Sequence, residues 1–315
     1  MDCRRPSIGL FLSLAIISLA ASCSPSASLQ GDTPPEILKW LKPDTDFVQA
    51  LSVEPAECLA DEAISDPAIQ LGRAAFRSPF LLGGQAARQG LTCQACHRQG
   101  QSSTNFFVVG LSDEPGNADV TNFHFSDDLG DEVFNPSPIP SLSDDVQSVD
   151  YSPDLPDLEQ LVTRLITKEF NGETPDPQIF DGLISYLRAL DNEHCAFADD
   201  DYPKLQGEAL LKYNVESISN MFAVLGSSDY PDVPKQFMIA SLRSDIGRLY
   251  SRYPVSKDIQ SGLKDLGQAL NSRAGDVDET QLIAAREMWI VMTPKLEQKY
   301  SKSLYNQSFI RKWAQ

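Results

Sequence analysis

Apolar positions recur with the period of a helix along much of this chain, most clearly in DPQIFDGLISYLRALD, residues 176–191. There Ile179, Leu183, Tyr186, Leu187 and Leu190 share one face, Asp176 can cap the start and Pro177 suits a first turn. AIQLGRAAF, residues 68–76, puts Ile69, Gly72 and Phe76 on one face, and Gly72 would let another helix approach closely. These two helices are expected to pack on each other. LEQLVTRLITKEF, residues 158–170, reads as a further amphipathic helix, and a short one is expected at EILKWLK, residues 36–42. Residues 98–157 are rich in Gly, Pro, Asn, Asp and Ser, with little periodicity, and read as a long loop.

After residue 200 the pattern becomes a series of helical runs: GEALLKYNVESISNMFAVL, PKQFMIASLRSDIGRLYSRY, SKDIQSGLKDLGQALNS and DETQLIAAREMWIVMTPKLEQKY. Proline and glycine punctuate them, which predicts an all-α bundle over residues 201–315. Met221, Met238, Met288 and Met292 are expected to fill its core, because Met at helical spacing packs irregular gaps. The fold class is mainly α.

One apolar run has a different meaning. Arg4 and Arg5 precede IGLFLSLAIISLAA, residues 8–21, too short for an ordinary membrane span and built like a secretory signal, residues 1–22. It ends in AASC, which resembles a bacterial lipobox, so Cys23 is expected to be lipidated, with anchoring in the outer membrane on the periplasmic side. The alternative is ordinary cleavage nearby, leaving Cys23 free. Residues 23–57 then form a tether and short helix, followed by one compact unit over residues 58–200.

The net charge of −18 excludes nucleic acid, whose phosphates need clustered Lys and Arg, and favours a partner with a basic docking surface.

The strongest chemical signal is TCQACHRQG, residues 92–100. Cys-x-x-Cys-His is the attachment pattern for c-type haem: two thiols three apart reach the porphyrin's two vinyl groups, and the next imidazole faces the iron. Chance produces this pentapeptide in about one sequence in a thousand of this length and composition. A thioredoxin-like redox pair would want a βαβ context, and a zinc half-site would want a second ligand pair. One covalent haem c is therefore expected, with Cys93 and Cys96 as thioethers and His97 as the proximal iron ligand.

Of six cysteines, Cys3 leaves with the signal, Cys23 would carry lipid, and Cys93 and Cys96 would hold haem. Cys58 and Cys195 remain, in an oxidising compartment, and a disulfide is their simplest assignment. Two separate buried thiols are the alternative.

LGRAAFRSPFLLGGQAARQGLTCQACH resembles the N-terminal haem domain of bacterial di-haem cytochrome c peroxidases and the related methylamine-utilisation haem proteins. FNPSPIPSL, residues 134–142, looks like a looser version of the Asn-x-Pro-Ser-Leu turn near their haem, and FDGLISYLRAL is similar to the closing helix of class I cytochromes c. The resemblance covers residues 69–191 at most. It implies a class I cytochrome c-like haem domain in which the long loop wraps the cofactor. The family has two haem domains, whereas this chain has one motif, so a self-contained two-haem peroxidase is excluded.

The sixth iron ligand is open. No Met lies between residues 2 and 220, which leaves His124, His194, a Met lent by the bundle, or an open position. His124, in TNFHFSDDLG, follows the proximal ligand as the distal histidine does in that family and is the preferred candidate. His194, beside Cys195, reads as a surface residue. The acidic run Asp127, Asp128, Asp131, Glu132 has the ligand type of a calcium site, and the resembled peroxidases use calcium. It lacks a calcium loop's spacing, so a solvated turn is preferred.

The leading functional reading is an exported mono-haem cytochrome c that transfers single electrons. A peroxidase-like oxidoreductase, or a partner of one, with ligand-accessible iron comes second. A haem-containing envelope interaction or sensor lipoprotein comes third.

Overall fold

The computed structural model describes residues 40–122, 130–143, 157–195, 204–271 and 277–314. The signal, Cys23, His124, Asp127 and Asp128 lie outside these residues. The described chain is mainly helical.

A helix α1 (Phe47–Ser52) leads into strand β1 (Val53–Pro55), and α2 (Pro67–Phe76) follows. Then come α3 (Gly84–Gln89), the four-residue α4 (Cys93–Cys96), and a stretch that includes the antiparallel pair β2 (Asn117–Ala118) and β3 (Ser137–Pro138). After it, α5 (Leu158–Arg164) continues into a π turn over Leu165–Glu169, and α6 (Pro177–Ala189) begins under its predicted cap: Asp176 accepts from the Gln178 amide at 2.9 Å. Strand β4 (Lys204–Gln206) pairs antiparallel with β1, bringing the chain back beside its start.

The second half is α7 (Glu208–Ser227), α8 (Asp232–Ser251), α9 (Lys257–Ala269), α10 (Glu279–Gln298) and α11 (Gln307–Trp313). Asp278 and Gln281 form a capping box at the start of α10, which fixes where that helix begins. Met221, Met238 and Met292 are buried and Met288 is half-buried. Inside the bundle, the Trp289 indole donates to Ser219 Oγ at 2.9 Å, joining α10 to α7.

Of EILKWLK only Trp40, Leu41 and Lys42 are among the described residues, and Trp40 is in 3-10 conformation. Leu41 makes an antiparallel bridge with Phe106, and the Phe107 amide donates to the Trp40 carbonyl at 2.8 Å. Trp40 then stacks on Phe106, a long-range pairing that local helical periodicity cannot foresee. Further on, Val48 and Leu51 of α1 pack on Leu304 and Ile310 in a small separate cluster.

The halves pack on each other. Helices α2 and α6 cross at Gly72 and Gly182, and α8 packs on α2, its Ser241 hydroxyl donating to the Ala74 carbonyl at 3.4 Å. One continuous apolar core runs from Leu59 to Tyr305 and takes in both sides of residue 200. Cys58 is also bonded to Cys195, 137 residues away, and the Asp191 amide donates to the Cys58 carbonyl at 3.0 Å.

Candidate functional site

The Cys-x-x-Cys-His segment is delivered by a sharp stop. Helix α3 ends at Gly90, whose φ of 74° is cheap only for glycine and lets the Leu91 amide reach back to the Ala86 carbonyl at 2.9 Å. The chain then makes the single turn α4, and the His97 amide closes it on the Cys93 carbonyl at 2.8 Å. The turn puts the two cysteine thiols, which share no bond, on one side of α4, since helical positions three apart are neighbours. Both are half-buried, and burial pushes each up to about 12, so they stay protonated. A thioredoxin-like pair needs the opposite, a thiol lowered toward thiolate.

His97 is held from the far end of the loop: its Nδ1 lies 3.0 Å from the Pro140 carbonyl oxygen. A carbonyl can only accept, so Nδ1 carries the proton and Nε2 keeps its lone pair for a metal. Burial holds the imidazole below its ordinary value despite this bond, which keeps it neutral. Pro140 lies in the FNPSPIPSL segment, and that segment is itself anchored: β3 pairs with β2, and the Ile139 amide donates to the Gly116 carbonyl at 2.9 Å.

Sequence reading missed Gln101, four residues after His97 and fully buried. Its Oε1 accepts from Ser141 Oγ at 3.0 Å, and its Nε2 lies 2.8 Å from Ser143 Oγ and 3.2 Å from Asn192 Oδ1. It fastens the Pro140 segment and the end of α6 to the chain just after the histidine. Gly100, at φ 78°, packs against Leu190 at that same helix end.

Behind α4 lies a second missed constellation. Glu57 is buried against Arg73 of α2 and Arg77 just past its end, with Arg73 Nη2 at 2.5 Å and Arg77 Nη2 at 3.4 Å. The Tyr186 and Tyr213 hydroxyls donate to its two oxygens, each at 2.7 Å. Burial alone would raise this carboxyl, but the two guanidinium groups outweigh it and hold Glu57 at about 2. Arg77 also donates to Gln99 Oε1 at 2.6 Å, which carries the network to the motif. A parallel set holds Glu54 between Arg98 at 3.1 Å and Arg252 at 2.8 Å. The segment around the motif is thus pinned to α2 and the end of α8 by ion pairs, and to α7 by the hydrogen bonds of Tyr213 and Ser217.

Of the other candidates, His194 is exposed in a one-turn 3-10 helix (Asn192–His194) beside the disulfide. Asp131 and Glu132 are exposed, and Asp131 accepts from the Val133 amide at 2.8 Å. Among the described residues no cluster of three or more His, Cys, Asp or Glu could hold a metal ion, and no helix is long and apolar enough to cross a membrane. No family model, curated protein or solved structure matches the chain.

Proposed function

We propose that this chain is an exported, lipid-anchored mono-haem c-type cytochrome that passes single electrons on the periplasmic side of a bacterial envelope. One observation carries the reading: two unbonded thiols sit one turn apart, followed by an imidazole whose Nδ1 is committed to the Pro140 carbonyl. Cys93 and Cys96 would hold the haem as thioethers, and His97 would bind its iron through Nε2. The haem supplies one-electron redox chemistry. The Pro140 carbonyl fixes the imidazole's tautomer and plane, burial keeps the ring neutral, and Gln101 holds the carbonyl in place.

The crossing of α2 with α6 at Gly72 and Gly182 supports a class I cytochrome c-like arrangement of residues 58–200, with the loop after the motif covering the cofactor. The chain's −18 charge suits a redox partner with a basic docking surface. His124 is the proposed distal ligand, and Cys23 the proposed lipid site.

Mass spectrometry and redox spectra of the purified mature protein test this. The wild type should carry one covalent haem with a c-type spectrum, lost in Cys93→Ala/Cys96→Ala. A mature polypeptide weighing only its amino acids and acyl chains would end the reading. His124→Ala should convert a low-spin spectrum to high-spin. A peroxidase-like reading stands second, because Pro140 lies in the segment that resembles the peroxidase family's turn. Wild-type iron that binds carbon monoxide and reacts with peroxide would replace electron transfer with it.

A further inference from the structure

Among the described residues three non-glycines have a positive φ: Gln99, Glu132 and Asn171. Asparagine tolerates that conformation, and Glu132 is exposed on its loop. Gln99 has neither excuse: it stands two residues after His97, at φ 56° and ψ 31°, and is only 2 % exposed. With Gly100 behind it at φ 78°, it turns the chain back sharply. The Gln101 amide then donates to the Arg98 carbonyl at 3.0 Å, and the Gly100 amide donates to the His97 carbonyl at 3.1 Å. The His97 amide is already on the Cys93 carbonyl, so this turn fixes the histidine's backbone from its other side.

Two successive left-handed residues form a backbone that glycine, asparagine and aspartate adopt at least cost. Glutamine at the first of them gives the turn no such help. Its longer side chain runs instead into the buried network behind α4, where Oε1 accepts from Arg77 Nη2 at 2.6 Å and Nε2 lies 3.5 Å from Glu54 Oε2. Arg77 stands just past α2, and Glu54 is held by Arg252 at the end of α8, so both halves of the chain grip this one side chain. From inside the motif, Gln94 Oε1 accepts from the Gln99 amide at 3.1 Å. A strained residue persists where its surroundings over-determine it, and such residues gather where a neighbouring group must be kept in one place.

We infer that Gln99 is a positioning residue for His97: its side chain, anchored in the buried ion-pair network, holds the strained turn that sets the histidine's backbone and the direction of Nε2. The Pro140 carbonyl fixes the ring's tautomer, and Gln99 fixes the backbone that carries the ring. The bundle thereby takes part in the motif's geometry, through Arg252 and Glu54. What the placement serves rests on the haem reading above, whereas the placement itself does not.

Nitrogen NMR of the mature protein labelled at histidine, with His97 assigned by its loss in His97→Gln, tests the inference in haem-bearing and haem-free protein alike. Wild type should show one environment for the His97 ring. Gln99→Gly and Gln99→Asn both suit a left-handed turn better than glutamine, and both give up the reach to Arg77 and Glu54. Each should keep the fold by circular dichroism yet split the His97 signal or broaden it at least twofold. A His97 signal that stays single and unshifted in either variant overturns the inference, because the backbone alone would then set the turn. Several environments in wild type overturn it too, and so does loss of the fold in either variant, which would make Gln99 a stabilising residue rather than a positioning one. A protein without haem ends the functional reading and leaves this result standing.

Discussion

A Cβ placed on Gly72 would stand 1.9 Å from the carbonyl oxygen of Gly182, and one on Gly182 would stand 2.9 Å from the carbonyl of Ala68. The two helices touch backbone to backbone, so the helices before and after the Cys-x-x-Cys-His segment have no room for a side chain where they cross. Gly72→Ala should cost about 3 kcal/mol or more by forcing α2 and α6 apart. Gly247→Ala, on the exposed side of α8 where nothing lies within 4 Å, should instead stabilise by about 0.5–1 kcal/mol. Urea unfolding of the two variants beside wild type checks both signs.

Gln101→Leu removes a buried amide shared by Ser141, Ser143 and Asn192. Leaving those groups unsatisfied should cost about 2–3 kcal/mol. The Pro140 carbonyl is then held less firmly, so the His97 ring should show more than one environment by NMR. A single unchanged His97 signal would mean that β2 and β3 position the carbonyl alone.

Glu57 has a value of about 2 in the folded chain against an ordinary 4.5. A lowered folded value stabilises the native state fully above the ordinary one and loses that contribution as pH falls from about 4.5 toward 2. The urea midpoint should therefore drop across that window. Glu57→Gln should flatten the drop and, by leaving Arg73 and Arg77 without their carboxylate, cost about 3–5 kcal/mol at neutral pH. An equally steep acid drop in the variant would assign it to other carboxylates.

Reduction of Cys58–Cys195 opens a loop closed across 137 residues. The chain-entropy model gives a loss of about 5 kcal/mol. Thermal unfolding with and without a reductant measures it, and Cys58→Ala/Cys195→Ala should match the reduced protein.

What could be read from the chain was local. Asp176, Pro177 and the apolar spacing behind them mark α6 to within a residue, and the long helices of the second half follow from the same period. Pairings between distant polar residues carry no such signal. Tyr213 reaches Glu57 across 156 residues and Arg77 reaches Gln99 across a turn and a helix, yet each side chain alone looks like one that faces water. Arg73 stood inside the quoted Leu-Gly-Arg stretch, but nothing in the spacing says that it meets a buried carboxylate. The contact of Trp40 with Phe106, which lies beyond the motif, carries no signal in the sequence either. The shared core across residue 200 was invisible too: a helix's apolar stripe says that it packs, not on what.

The cysteines of the described residues face two fates that compete in time. An oxidant that joins Cys58 to Cys195 also meets Cys93 and Cys96, and ends three residues apart find each other far sooner than ends 137 apart. Premature closure of the near pair would leave no thiol for a vinyl group to capture. For the haem-bearing form proposed above, a reductant present while the rest of the chain is oxidised should therefore raise the loaded yield without changing the stability of what is loaded.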